Sequence, residues 1–599
     1  MSAHRCRRIL AIAAAGALVT TVASGTASAA TPTPKSPVAV GFGGAVASID
    51  ADATAIGTQV LRDGGNAVDA AVAVAAALGV TDPFSAGIGG GGFFVYYDAK
   101  THRVHTLDGR ETAPKSADAN LFLENGQPLP FADAVTSGLS VGVPGTPATW
   151  AEALRKWGTR SLAKSLRPAE NLARNGFVVD QTFQTQIANN AARFAAFPST
   201  RSLYLPGGAP PSPGTVFRNP DLAATYAQLE RNGVDALYRG PIGADIAKTV
   251  QRPPVDPAST LNVRPGKLTA ADIAAYRAIE RDPTHARYEG LDVYGMPAPS
   301  SGGLTVGEAL NILENFDLKH ASKADYLQYF LESTRFAFAD RNRWIGDPAV
   351  IDVPARELLS QRFANTRACL ISKDKAATSP VAPADPRHPT ACAAGATAAP
   401  TPYEGENTTH LTVADKWGNV VAYTLTIEQE GGSGIVVPGR GFLLNNELTD
   451  FSFTPVTPGV PDPNLPGPGK RPRSSMAPTI VLDHGRPFFA TGSPGGASII
   501  TTVLQVILGR LDRGLTLENA IAAPRASQRN SAQAQVEQAF LDQPETADLK
   551  ARGQGFSTAP AEIGAATGVE RLRDGRWLAA AEPVRRGQGA AQVVWPANW

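Results

Sequence analysis

An abrupt change of character at residues 407 and 408 constrains this chain more than any other feature. Lys373 to Asn407 is rich in Ala, Pro and Thr, with prolines at 380, 383, 386, 389, 400 and 402. Such a stretch cannot build a core and is expected to run over the surface as a flexible linker. Directly after it, Thr408 to Ala414 alternates in the manner of a strand. Asp415-Lys416-Trp417-Gly418-Asn419 is a turn cluster, and Val420 to Ile427 is a second strand rich in β-branched residues. A hairpin centred on Trp417 sets Thr408 opposite Thr426, their side chains about 5 Å apart on one face. Glu428, two residues further on, shares that face. Taken alone, these threonines read better as the polar face of a half-buried hairpin than as a catalytic pair. Position adds the chemistry: a cut before Thr408 makes it an N-terminal residue. Its free α-amine, with a pKa of about 8, then serves as base for its own hydroxyl. Thr426 is placed to hold that hydroxyl in a productive rotamer.

The remainder of the chain reads as a helix-rich large part and a strand-led small part. Ala53 to Leu61 and Ala67 to Leu78 are expected as closely packed helices. Gly89-Gly90-Gly91-Gly92 leads into a buried strand, Phe93 to Tyr97. No Gly-Lys-Ser/Thr follows the glycine run, so it is not a phosphate loop but a tightly packed or site-lining turn. Helices are expected over 147–174, 220–231, 303–316, 326–343 and 498–511. Residues 408–482 are expected to be mostly strands and turns. The length of 599 residues exceeds one ordinary core.

Residues 1–29 have the pattern of a secretory signal: Arg5, Arg7 and Arg8, an apolar run from Ile9 to Val22, then Ala27-Ser28-Ala29. The apolar run is too short and broken to span a bilayer. Export is therefore expected, with 30–407 as the large part and 408–599 as the small one. Two cysteines remain beyond the signal, Cys369 and Cys392. An even pair in an exported chain points to a disulfide closing a small surface loop, contributing about 3 kcal/mol. A net charge of +1 gives no long-range attraction to nucleic acid or an anionic membrane. The eight histidines are scattered. Only His102 and His105 lie close together, and a strand-edge pair is the better reading there than a metal site.

Several long motifs resemble the γ-glutamyltransferase (glutathione hydrolase) family. In the small part these are ENTTHLTVADKWGNVVAYTLT, GSGIVVPGRGFLLNNELTDFS, KRPRSSMAPTI and TGSPGGASIITT. In the large part they are DGGNAVDAAVA, GIGGGGF, DGRETAP, PSSGG and FADRNRWIGDP. The resemblance spans roughly residues 38 to 599. It implies an α+β fold, the four-layer αββα sandwich of the N-terminal-nucleophile hydrolases, formed jointly by two subunits cut from one precursor.

Position by position, the resemblance makes Thr408 the nucleophile for self-cleavage after Asn407 and for turnover. It makes Thr426 the contacting threonine, and Gly495 and Gly496 the oxyanion hole. Arg110, Ser474 and Ser475 fall where the family binds the α-carboxylate of a glutamyl group. Glu428, Glu447 and Asp450 fall where it binds the α-amino group. The chemistry suits these roles: a guanidinium fork and hydroxyls match a carboxylate, and clustered carboxylates match an ammonium. The implied donors are γ-glutamyl compounds such as glutathione. The implied acceptors are water, amino acids or peptides, and no metal or organic cofactor is needed. Three departures stand out. Glu428 replaces the Asn of some members, and Asn407 precedes the cut where several relatives carry another residue. The segment between Asp450 and Ser474 is short, Pro-rich and without Tyr, so the site is expected to be open to bulky donors. The rival readings are a glutaryl-cephalosporin-type acylase of the same fold and a non-catalytic secreted binding protein.

Overall fold

The computed structural model describes residues 31–393, 404–405 and 407–597. The secretory signal expected over 1–29 lies outside these residues. Among the described residues no helix is long and apolar enough to cross a membrane.

Thirteen strands form one strongly curled antiparallel sheet. They are β1 (Val38–Ser48), β2 (Gly91–Asp98), β3 (Arg103–Gly109), β4 (Ile279–Arg281), β5 (Thr284–Tyr288), β6 (Leu291–Gly295), β7 (Thr409–Asp415), β8 (Val420–Thr426), β9 (Thr479–Asp483), β10 (Arg486–Gly492), β11 (Thr567–Arg571), β12 (Trp577–Ala581) and β13 (Ala590–Pro596). The order is β4-β3-β2-β8-β7-β1-β12-β11-β10-β9-β6-β5, with β13 also paired to β1. Strands of the large and small parts alternate in this order, so neither part makes its sheet alone.

Side-chain alternation divides the core into layers. Phe94, Tyr96, Leu411, Val413, Val421 and Tyr423 pack against one helical layer, containing α1 (Ala51–Arg62) and α2 (Ala67–Thr81). The intervening Phe93, Val95, Ala414 and Ala422 belong to a second core. That core also holds Ile480, Phe489 and Val569 and the helices α3 (Gly302–Leu313), α4 (Lys323–Trp344) and α5 (Ser498–Leu511). The result is the four-layer αββα sandwich.

Local signals explain the elements nearest the site. The α2 helix starts at a capping box of Asn66 and Asp69 and is buried on every side, which its Ala-rich sequence permits. The glycine run presses against β8: a Cβ on Gly90 would lie 2.0 Å from the Thr426 carbonyl oxygen, and one on Gly92 2.4 Å from that of Thr424. Tight packing is thus the reason for these glycines. His102 and His105 diverge, one to the Tyr97 hydroxyl and the other to Glu280.

Two expectations need correction. The single helix over 147–174 is two, Thr146–Trp157 and Leu162–Asn175. Gly158 ends the first, and the Ser161 side chain caps the second by accepting from Lys164 N. Residues 408–482 hold only three strands, β7, β8 and β9. Glycines 431, 432, 434, 439 and 441, all at positive φ, turn the chain repeatedly after β8 and carry it back over the strand end.

Cys369 and Cys392 are joined by a disulfide. The Pro-rich segment between them forms no helix or strand. Its backbone N–H groups are met by side chains instead: Ala377 donates to Glu332, Val381 to Asn530 and Ala384 to Asp340, at 2.7–2.9 Å.

Candidate active site

The hairpin register places the two threonines as the sequence implies. Thr409 pairs with Leu425 and His410 with Thr424, so Thr408 faces Thr426 one step before the ladder begins. Their hydroxyl oxygens are 3.5 Å apart. The chain is continuous through Asn407 and Thr408, and the Asn407 carbonyl oxygen is the focus of both side chains. It accepts from Thr408 Oγ1 at 2.6 Å and from Thr426 Oγ1 at 2.9 Å. Two further bonds fix Asn407: its backbone N–H donates to Glu428 O at 3.2 Å, and Nδ2 donates to Phe84 O at 2.9 Å. On the far side, Arg586 Nη1 donates to the Thr408 carbonyl at 3.0 Å.

The carbonyl next to the hydroxyl is therefore held by two donors in a buried setting. No histidine lines this pocket. His410, on β7, donates to or accepts from Thr424 Oγ1 at 2.7 Å, and burial pushes its pKa down to about 3. It stays neutral and belongs to the packing.

The acidic residues converge on the same pocket. Glu428 sits at φ 80°, unusual for a residue with a side chain, with its N–H donating to Thr426 Oγ1 at 2.8 Å. Asn446 Nδ2 donates to its carboxylate. Glu447 and Asp450 lie on a short 3₁₀ turn, Glu447–Asp450. Both accept from the Arg110 guanidinium. Arg110 is thus paired with Glu447 and Asp450 in the continuous chain. Arg110 also donates to the Pro472 and Arg473 carbonyls, at 3.1 and 2.9 Å.

Glu111, the neighbour of Arg110 inside the DGRETAP motif, joins the acidic cluster only through the fold. It is fully buried and interacts electrostatically with Glu447, Arg110 and Asp450. Four carboxyl groups therefore surround one guanidinium. Among the described residues, both Glu111 oxygens, Glu428 Oε1 and Glu447 Oε2 are buried without a hydrogen-bond partner. Burial raises the pKa of all four. Glu447 reaches about 8, with Arg110 offsetting only part of the rise. With one guanidinium among four buried carboxyls, the cluster is pushed toward its protonated forms.

The serine side is different. Ser475 Oγ donates to the carboxylate of Glu404, and Arg341 binds the same carboxylate while donating to Ser475 Oγ at 2.7 Å. Arg473 Nη2 approaches it at 3.5 Å. Burial alone would raise Glu404, but Arg341 and Arg473 hold its pKa down at about 2. Ser474 lines the pocket too, but its Oγ accepts from Met476 N at 3.2 Å. Neither Arg341 nor Arg473 was singled out from the sequence. The signal available was their place inside two motifs, FADRNRW and KRPRSS.

Gly496 is in the pocket wall, two residues before α5 begins. Gly495 is not among the lining residues, and its carbonyl accepts from the N–H and the hydroxyl of Ser498. The free space left in the pocket is about 20 Å³, room for roughly one water. The chain's own residues fill it.

The comparisons with known proteins agree with this geometry. The gamma-glutamyltranspeptidase family model matches residues 53–592. A glutathione hydrolase proenzyme of Bacillus subtilis (strain 168) is 38% identical over 533 residues, covering 88% of this chain and 87% of the relative. A glutathione hydrolase proenzyme of Escherichia coli (strain K12) is 38% identical over 550 residues, 90% of each. Among solved structures, a cephalosporin acylase from Bacillus halodurans superposes with a TM-score of 0.81 at 28% identity, covering 95% of this chain and 98% of that one. An αββα sandwich with a threonine hydroxyl poised on the preceding carbonyl, together with a family match over nearly the whole chain, leads to one statement: this protein belongs to the gamma-glutamyltranspeptidase family of N-terminal-nucleophile enzymes.

Proposed function

We propose that the protein is an exported, self-cleaving γ-glutamyltransferase and glutathione hydrolase. The observation that carries the γ-glutamyl specificity is the buried carboxyl cluster beside Thr408. Glu447 and Asp450 pair with the single arginine Arg110, and Glu111, Glu428 and Glu447 leave oxygens without a hydrogen-bond partner. An α-ammonium group is the ligand that such a cluster lacks. A glutaryl chain, which has no amine, would leave these carboxyls buried and unmatched, at a cost of several kcal/mol.

Maturation begins when Thr408 Oγ1 attacks the Asn407 carbonyl carbon. The C–N bond breaks, the proton passes to the departing nitrogen, and an ester links Asn407 to Thr408. Water hydrolyses the ester, leaving the Asn407 carboxylate and the free Thr408 amine. The 30–407 and 408–599 fragments stay together because their strands interleave in one sheet. In turnover the Thr408 amine takes the hydroxyl proton as Oγ1 attacks a γ-glutamyl amide carbonyl. The oxyanion is met by the Gly496 N–H and its neighbours. The amine leaves with the proton, and water or an acceptor amine resolves the glutamyl ester. Ser474, Ser475 and the nearby guanidinium groups take the substrate's carboxylate.

The short, Pro-rich loop after Asp450, without Tyr, supports a leaving-group side open to bulky donors. Its Val456, Thr457, Val460 and Pro461 line a cavity of about 320 Å³ with Asn342 and Trp344, separate from the pocket at Thr408. The acylase reading has support from the structural likeness to the cephalosporin acylase. One comparison separates the two. The matured protein should hydrolyse γ-glutamyl anilide in preference to glutaryl anilide, and the small fragment should begin at Thr408 on N-terminal sequencing. Equal or faster hydrolysis of the glutaryl compound favours the acylase. A single unsplit band with neither activity favours a binding protein.

A further inference from the structure

The anion site in the wall of the Thr408 pocket is already occupied by the chain itself. The carboxylate of Glu404 is enclosed by Ser475, Arg341 and Arg473, each at most 4% exposed. The cradle is braced from behind: Arg341 Nε donates to Ser301 Oγ at 2.8 Å and Nη1 to Asn342 Oδ1 at 2.9 Å. Both serine and arginines are therefore pre-set for a carboxylate, and the pocket has no room for a second one.

Glu404 is also tied to the bond to be cut. Only two residues separate it from Asn407, a backbone span of at most about 11 Å. Between them Gly405 crosses the acidic cluster so closely that a Cβ would lie 1.8 Å from Glu428 Oε1. Its N–H points to Asp450 Oδ1 at 3.4 Å. Asn407 is then pinned by Glu428 O and Phe84 O, with its carbonyl under the two threonine hydroxyls. The chain before the cut is thus held at its carboxylate, at its glycine and at Asn407.

We infer that Glu404 is an internal carboxylate ligand: it seats the segment before Thr408 in the Ser475–Arg341–Arg473 cradle, positions the Asn407–Thr408 bond for self-cleavage, and keeps carboxylate ligands out until the cut is made. Glu404 is a positioning residue, acting through the chain rather than on the reacting atoms. Arg341 and Arg473 gain a second role on this view, as the guanidinium groups that receive a substrate carboxylate once Glu404 has left. That role rests on the γ-glutamyl reading of the pocket; the positioning role does not.

The test follows cleavage of the full chain made by cell-free translation, with the fragments resolved by denaturing electrophoresis. Glu404→Gln and Glu404→Ala should slow appearance of the small fragment about tenfold or more, the effect of losing one charge-assisted anchor near the reacting bond. Glu404→Asp, which keeps the charge but not the length, should cleave faster than Glu404→Gln, which keeps the length but not the charge. A packing role gives the opposite order. Cleavage of Glu404→Gln at the wild-type rate overturns the inference. A second measurement covers variants that fold poorly. With Thr408→Ala blocking the cut, L-glutamate binding is measured by calorimetry with and without Glu404→Ala. Binding should tighten about tenfold when the internal carboxylate is removed. Unchanged binding in a folded double variant overturns the blocking role. Matured wild-type protein assayed with γ-glutamyl anilide keeps the two readings apart, because chain scission requires no γ-glutamyl substrate.

Discussion

Glu404 and Glu447 line the same pocket, are both buried and both touch arginine, but their surroundings act on them in opposite directions. Around Glu404 two guanidinium groups and a hydroxyl outweigh burial, and the carboxylate stays ionised, at about 2. Around Glu447 burial and the neighbouring carboxyls outweigh the single Arg110, and the group is pushed to about 8. The sign of the local charge excess, not burial, separates them. One end of the pocket carries an excess of guanidinium and the other an excess of carboxyl, the pattern that the proposed zwitterionic glutamyl substrate would call for.

The comparison can be broken most severely at Thr408, the proposed nucleophile in the same pocket. Thr408→Ala should stop self-cleavage altogether, leaving one band, and lower γ-glutamyl hydrolysis on the order of a thousandfold or more. Thr408→Ser should still cleave. A split chain from Thr408→Ala would move the cleavage chemistry elsewhere.

The cation end is next. Asp450→Asn in matured protein should reduce the preference for γ-glutamyl over glutaryl anilide about a hundredfold, mostly through weaker γ-glutamyl binding, since an ammonium loses a charged partner. The ratio of kcat/KM for the two substrates is the measurement. At the anion end, Ser475→Ala should raise KM for γ-glutamyl anilide about tenfold with a smaller effect on kcat, because it removes one hydroxyl donor and leaves the guanidinium groups.

The pH response of the uncut Thr408→Ala chain sharpens the contrast without any substrate. Glu447 is raised in the folded chain, from 4.5 to about 8, so the folded state holds a proton that the unfolded state releases. The stabilisation is complete below about pH 4.5 and is lost as pH rises through about 8. Glu404 is depressed to about 2, so its contribution is complete above about pH 4.5 and is lost only as pH falls toward about 2. The Tm should therefore fall between about pH 5 and about pH 8. Glu447→Gln should flatten that slope, while Glu404→Gln should lower the whole curve and keep its shape. Removing the Cys369–Cys392 disulfide should have the smallest effect on activity. Its loop lies outside the pocket, so Cys369→Ser should reduce stability by up to about 3 kcal/mol and leave kcat/KM unchanged.

Much of the catalytic edge was legible because a hairpin is a local object. Turn residues 415–419 set the register, and the register alone brings Thr408 opposite Thr426. Helix 498–511 was legible for a similar reason, an apolar run bounded by Gly496 and Asp512. The helix break at Gly158 was overlooked because apolar spacing continues on both sides of it. The apolar residues after β8 suggest strands, but glycines at positive φ break the stretch into turns. Glu404 could not be singled out: it lies in a Pro-rich segment with no periodicity, and its partners are 63, 69 and 71 residues away.

What the sequence by itself determined is therefore the hairpin, its threonine pair, the positions of the motif residues and the family they resemble. These depend on spacing along the chain, which sequence records directly. Only the tertiary structure decided which arginine meets which carboxylate. Arg110 goes to the acidic turn, and Arg341 and Arg473 go to Glu404. A guanidinium offers the same fork to any carboxylate, so its partner is chosen by the fold that brings the two within reach and by the balance of charge around them.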